Sequence, residues 1–189
     1  MKIKLAIFAS GGGSNALKII EYFRGHENII VSLIVTNKPH AGVIQHARDN
    51  ALPYYIHEKG ELATDSFAGL LNEHKIGAII LAGYLKKIPE ALIEKYANRI
   101  INIHPALLPR YGGKGMYGHF VHEAVVRDGE TQSGMTIHLV NEKYDEGKIL
   151  FQAICPVFPH DHADEVAKRV LSLEHKYFAS VIERHLLSL

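Results

Sequence analysis

With 189 residues, 47% of them hydrophobic, and a formal net charge of +1, the chain reads as one domain, residues 1–189, able to bury a substantial core. The near-zero charge aims no strong field at nucleic acid or a membrane surface, so neither is expected as a partner. A single cysteine, Cys155, rules out a disulfide framework and points to a reducing, cytoplasmic compartment.

Strand-like and helix-like segments alternate from the start. Ile3–Ala9 is a β-rich apolar run, reached too soon after Met1 for a signal peptide. Ser14–Phe23 has helical periodicity, with Leu17, Ile20 and Tyr22-Phe23 on or near one side. Ile29–Thr36 is predicted as a strand, Val43–Asn50 as a helix, Pro53–His57 as a short strand and Asp65–His74 as a helix. Gly77–Ala82 is almost wholly apolar, as a central strand buried on both faces should be. Pro89–Tyr96 is a helix with proline at its first position, and Arg99–His104 is the next strand. This rhythm predicts parallel βαβ crossovers and an α/β, Rossmann-like, doubly wound sheet. After Pro105 the order changes. His119–Arg127 is helical, and Ser133–Val140 and Ile149–Val157 are strands whose connection suits antiparallel pairing. A long amphipathic helix from about Asp161 to Leu187 closes the chain, with Asp161 as its expected cap. No run is apolar for long enough to span a bilayer.

Asn102 and His104 lie two apart at the carboxyl end of a strand, so they share a face, and Pro105 ends the ladder because it has no N–H to donate. Open α/β sheets bind ligands at that edge. A neutral donor beside an ionisable one is suited to stabilising an oxyanion and moving a proton. Taken alone, the pair reads equally as a strand-end hydrogen bond and a surface imidazole.

Gly11-Gly12-Gly13-Ser14-Asn15 joins the first strand to the first helix. Glycines let backbone N–H groups approach an anion, the helix N-terminus adds favourable potential, and Ser14 and Asn15 add side-chain donors. The alternative is a flexible capped turn. The spacing is not Gly-x-Gly-x-x-Gly, and Val35-Thr36-Asn37-Lys38 places no acid for a ribose diol, which disfavours a nicotinamide dehydrogenase. The 13 histidines include no zinc-helix spacing, and no metal is expected.

Asn141–Gly147 links the two late strands and carries Asp145, by itself an ordinary turn aspartate before glycine. The glycine loop, Asn102-Ile103-His104-Pro105 followed by Leu107-Leu108-Pro109, and Asp145-x-Gly147 occur in that order at wide separations. Together they resemble phosphoribosylglycinamide formyltransferase, the folate-dependent enzyme of purine synthesis, over nearly the whole chain. The resemblance implies a Rossmann-like mixed sheet. It also implies transfer of a formyl group from 10-formyltetrahydrofolate, the cosubstrate, to the amine of glycinamide ribonucleotide. Asn102, His104 and Asp145 match the family's catalytic trio. Gly12, Gly13, Ser14 and Asn15 match its phosphate-binding loop. Leu85, Lys86, Lys87 and Ile88, with Asn102, Asn141 and Tyr144, match its folate site. Amine attack builds a negatively charged oxygen that Asn102 and a protonated His104 would stabilise, with Asp145 as the neighbour favouring imidazolium.

Glu174 falls within an apolar stripe of the last helix formed by Ala163, Val166, Ala167, Val170, Tyr177, Phe178 and Val181. A carboxylate there needs a partner. That partner is either a salt bridge at a helix–sheet seam or, as the resemblance implies, a ribose hydroxyl of the nucleotide substrate. Two features depart from the most familiar members. Tyr111–His119 is longer and richer in glycine, with Lys114 available to an anion. No arginine stands where some members meet the folate tail, Lys59 being the nearest cation. The resemblance implies a cis peptide before Pro109, whereas trans is the general prior for such a bond.

Three rival readings remain. A 10-formyltetrahydrofolate hydrolase (deformylase) shares the trio but resembles a longer chain with an N-terminal regulatory domain, and its relatives tend to a second histidine where Pro105 stands. An enzyme formylating initiator methionyl-tRNA would carry a further RNA-binding domain, for which no residues are expected after the last helix. A non-catalytic phosphate- or nucleotide-binding module would explain the glycine loop alone. Nothing in the sequence speaks to an oligomer.

Overall fold

The computed structural model describes Lys2–Leu189. Its elements are β1 (Ile3–Phe8), α1 (Ser14–Tyr22), β2 (Ile29–Thr36), α2 (Val43–Asp49), β3 (Tyr54–Ile56), α3 (Asp65–Glu73), β4 (Ile76–Leu81), α4 (Glu90–Lys95), β5 (Ile100–His104), α5 (His119–Arg127), β6 (Gln132–Leu139), β7 (Ile149–Pro156) and α6 (Ala163–Leu186). The seven strands are hydrogen-bonded in the order β3-β2-β1-β4-β5-β6-β7. The fold is the Rossmann-like, mostly parallel sheet with antiparallel late strands and a long C-terminal helix that the alternation of periods predicts.

The chain divides into two compact units, one running to Ile101 and the other from Asn102 to Leu189. In the first unit β1 pairs in parallel with both β2 and β4, and β2 with β3. Parallel neighbours require crossovers, which the intervening helices supply. The buried face of α1 is Asn15, Ala16, Ile19 and Ile20, whereas Tyr22 is 44% exposed. The apolar stripe of α1 therefore runs through Ile19, and Tyr22 turns outward to stack edge-on with Phe23. Thr64 caps α3 by accepting the Phe67 N–H. Pro89 stands one residue before α4, as its N-cap with extended ψ, rather than inside the first turn.

In the second unit β6 and β7 pair antiparallel, and α6 packs on β6, β7 and α5. The expected Asp161 cap is corrected. Helix α6 starts from His162, whose N–H donates to Glu165 at 2.9 Å. Asp161 is taken up elsewhere, accepting the Phe158 N–H and an ion pair from Arg169. Cys155 is buried and unpaired, and burial pushes its thiol up. The Leu108–Pro109 peptide is cis.

Gly147 explains part of the Asp145-x-Gly147 spacing. The Leu139 N–H donates to the Lys148 carbonyl at 2.9 Å, drawing the ladder so close that any Cβ at Gly147 would overlap the Leu139 carbonyl oxygen. Gly147→Ala should destabilise the protein by about 1–3 kcal/mol, a fall of roughly 2–12 °C in Tm by calorimetry. An unchanged Tm would show that the hairpin has room to shift.

Candidate active site

The expected site residues fall into two groups. Gly12–Asn15 and Leu85–Ile88 belong to the first unit. Asn102, His104, Asn141, Tyr144, Asp145 and Glu174 belong to the second.

In the first unit the glycines answer to packing as well as to any ligand. Gly13 is left-handed (φ 79°) and caps α1, and a Cβ there would lie 2.7 Å from the Val43 Cβ at the start of α2. Gly11, Gly12 and Ser14 are exposed, and Asn15 is buried. Ser10 was not anticipated. Its Oγ donates to Asn37 Oδ1 (2.7 Å) and accepts the Leu85 N–H (3.0 Å), while its own N–H donates to the Gly83 carbonyl (3.0 Å). The glycine loop and the Leu85 segment are thereby tied through one buried hydroxyl. Leu85, Lys86 and Lys87 are exposed, and Ile88 is buried.

In the second unit β5 ends in the two residues that alternation places together, and Asp145 joins them from the β6–β7 loop. His104 Nδ1 lies 3.6 Å from Asp145 Oδ2. The same oxygen accepts the Gly113 N–H at 2.9 Å. Asp145 is left-handed (φ 58°), a conformation that aspartate tolerates better than most residues. His104 Nε2 lies 2.7 Å from the Tyr111 carbonyl, which has only lone pairs to offer, so Nε2 carries a proton.

A fourth residue, His138 on β6, completes the cluster and escaped the sequence reading. Its Nδ1 lies 2.9 Å from the Leu139 carbonyl and must donate, which leaves Nε2 as an acceptor. Asn102 Nδ2 donates to that Nε2 at 3.0 Å. The carboxamide is thus oriented by the His138 ring, with its other N–H and its oxygen left for a ligand. His138 Nε2 is also 3.5 Å from Asp145 Oδ1. Thr136, two residues earlier on the same face, pins the segment after His104. Its hydroxyl donates to the Ala106 carbonyl (2.6 Å) and accepts the Leu108 N–H (3.0 Å). The available signal was polar side chains at alternate positions of an otherwise apolar strand.

The electrostatics correct one expectation. Asp145 does favour imidazolium at His104, but burial is the larger influence, and the His104 pKa lies below its ordinary value despite Asp145 and the Tyr111 carbonyl. Burial acts to raise the Asp145 carboxyl, yet the His104 imidazole and the Gly113 N–H hold it below the usual range. At neutral pH this combination is a carboxylate facing a mainly neutral imidazole. Asp145 lines a cavity of about 460 Å³ with Leu108, Gly112, Gly113, Tyr144 and Gly147. Asn141 is exposed, with Oδ1 accepting the Lys143 N–H. Glu174 is only 7% exposed, among Val170 and Phe178 on the buried face of α6.

An amide donor, a buried imidazole and a carboxylate at the carboxyl edge of a doubly wound sheet are the equipment of an acyl-transfer centre. The chain belongs to the formyl transferase family, whose model matches residues 3–182. It is 46% identical over 186 residues to the chloroplastic phosphoribosylglycinamide formyltransferase of Arabidopsis thaliana, covering 95% of this chain and 64% of that one. With the phosphoribosylglycinamide formyltransferase of Bacillus subtilis it shares 33% identity over 187 residues, 96% of this chain and 93% of the relative. The crystal structure of phosphoribosylglycinamide formyltransferase from Brucella melitensis superposes with a TM-score of 0.86 at 32% identity, covering 97% and 95% of the two chains. The chain spans less than two thirds of the length of the plant relatives from Arabidopsis thaliana and Vigna unguiculata, 64% and 60% respectively.

Proposed function

We propose that the chain transfers the formyl group of 10-formyltetrahydrofolate to the amine of glycinamide ribonucleotide, a step of purine biosynthesis. The observation that carries this reading is the His104–Asp145 pair, 3.6 Å apart, beside a carboxamide oriented by His138. The amine nitrogen bonds to the formyl carbon, the bond from that carbon to the folate nitrogen breaks, and the amine's proton passes to the folate nitrogen. The free N–H of Asn102 donates to the formyl oxygen as it gains charge. That charge, together with the Asp145 carboxylate, favours His104 taking up the amine's proton, which burial otherwise opposes, before the proton passes on to the folate nitrogen.

The remaining assignments follow the same reading. Gly12, Gly13, Ser14 and Asn15 take the phosphate at the start of α1. In the first unit Leu85, left 44% exposed as an apolar wall for a flat heterocycle, is assigned to the folate with Lys86, Lys87 and Ile88; in the second unit Asn141 and Tyr144 carry the same assignment. Residues 1–189 work as one formyltransferase domain, supported by the family match over 3–182. The proposed partners are these two small molecules, with no nucleic acid, membrane or metal. No helix among the described residues is long and apolar enough to cross a membrane. A reducing compartment such as the cytoplasm is favoured by the unpaired Cys155.

Incubation with 10-formyltetrahydrofolate, with and without glycinamide ribonucleotide, tests the assignment. Loss of the formyl donor only when the amine is present is expected. Formate release without the amine would instead make the protein a hydrolase, and no consumption would make it a binding module. Glu174 is assigned to a ribose hydroxyl. Glu174→Gln should raise KM for the ribonucleotide roughly ten-fold or more with little change in kcat, as loss of a charge-assisted hydrogen bond predicts. An unchanged KM with a lowered Tm would assign Glu174 to a structural bridge.

A further inference from the structure

Tyr111 stands outside the trio, yet its segment touches two of the three members. Its carbonyl accepts from His104 Nε2 at 2.7 Å, and two residues on the Gly113 N–H donates to Asp145 Oδ2 at 2.9 Å. The residue between them has to be small. A Cβ on Gly112 would lie 2.6 Å from Leu108 Cδ2 and 3.3 Å from the Asp145 Cβ. Three successive residues therefore form a strap across the imidazole–carboxylate pair, one end gripping the base and the other the acid.

The strap has its own anchor. The Tyr111 hydroxyl lies 3.1 Å from Asp128 Oδ2 and 3.0 Å from Glu130 Oε1, both just beyond the C-terminal end of α5. Arg110 pairs with the same Glu130, and its guanidinium stacks 5.3 Å from the Tyr111 ring centroid. Burial, Glu130 and Asp128 push the Tyr111 phenol up to about 12, so at neutral pH the hydroxyl keeps the proton it donates. Tyr111 is left-handed (φ 56°), a backbone conformation that a large side chain holds only where surrounding contacts enforce it.

We infer that Tyr111 is a positioning residue: its hydroxyl, clamped by Asp128 and Glu130, fixes the strap whose main chain sets the orientation of His104 against Asp145. The inference rests on the proposed catalytic role of that pair, and its physical content, the grip on the imidazole, is measurable without any substrate. The groups facing His104 are Asp145 and the Tyr111 carbonyl, which favour its charged form, and His138, which disfavours it. His122 on α5 senses His104 in turn. Loosening the strap withdraws the Tyr111 carbonyl and leaves burial less opposed, so the His104 titration should move to lower pH.

The test uses the full chain and two variants acting on opposite ends of the same device. Tyr111→Phe removes the anchor, and Gly112→Ala displaces the strap while sparing the hydroxyl. In each, the His104 imidazole resonance of the ¹⁵N-histidine-labelled protein is titrated without substrates, and kcat and KM are measured in the formyl-transfer assay. Both variants should lower the His104 midpoint. Each should also lower kcat about 10–100-fold with KM for both substrates within about two-fold, the size of effect that a misplacement near 1 Å produces. Glu130→Gln keeps an oxygen acceptor for the Tyr111 hydroxyl and should retain most of kcat. An unmoved His104 midpoint in Tyr111→Phe and Gly112→Ala would overturn the grip. A moved midpoint with unchanged kcat would overturn its role in transfer. Should the parent protein transfer no formyl group, the proposed function fails by itself, and the substrate-free titration still decides whether the strap holds His104.

Discussion

Asp145→Asn should lower kcat by about 10²–10⁴-fold while leaving both KM values within a few-fold, because in the proposed mechanism it removes a proton-handling partner that acts only as charge develops. The fold should survive. Asn keeps an oxygen to accept the Gly113 N–H, tolerates the left-handed backbone as aspartate does, and fits the same space. The sign of the accompanying pH effect follows from the site. The His104 pKa is pushed down by burial and held up in part by the Asp145 carboxylate. Neutralising residue 145 removes that support, so the limb of the pH–rate profile that reports His104 should move to lower pH. Steady-state kinetics across pH, with circular dichroism as a check on folding, measures all three quantities. Parent-like kcat, or a limb moved upward, would remove Asp145 from the mechanism.

Asn102→Ala should cost about 10²–10³ in kcat, the loss seen when one donor to a developing oxyanion is deleted. The carboxamide is held before substrate arrives, because His138 Nε2 accepts one of its N–H groups at 3.0 Å and the His138 Nδ1–H is engaged by the Leu139 carbonyl. An oriented donor needs no reorganisation during reaction, which is why its removal should register in kcat more than in KM. The same substitution leaves His138 Nε2 without its Asn102 partner, 3.5 Å from Asp145 Oδ1. A modest loss of stability should accompany the kinetic effect. A fall confined to KM would make Asn102 a binding residue and not an oxyanion donor.

Much of the candidate site's geometry was legible because strand geometry is rigid. A period of two obliges Asn102 and His104 to share a face, and Pro105 obliges the strand to stop there. Asp145 required a resemblance spread over the whole chain, since an aspartate before a glycine is otherwise only a turn. Gly147 gives the glycine of that spacing a structural reason, a backbone contact with no room for a Cβ. Ser10, Thr136, His138 and Tyr111 were not legible as site residues. Each acts through a partner 27 or more residues away, or through a main-chain carbonyl that has no sequence identity. Asp161 was misassigned because an aspartate near a helix start caps it or pairs sideways according to where an arginine lands. Here Arg169 claims it.

Composition, hydrophobic period and residue type determined the alternating α/β architecture, the antiparallel tail, the place of the glycine loop and the chemical kinds available for catalysis. These are local properties, written in spacing along the chain. Tertiary structure alone decided that His138 orients Asn102, that the Tyr111 strap reaches both His104 and Asp145, and that burial outweighs the carboxylate in setting the His104 pKa. Desolvation and hydrogen-bond geometry depend on which distant atoms fill the space around a group, and no local pattern carries that information.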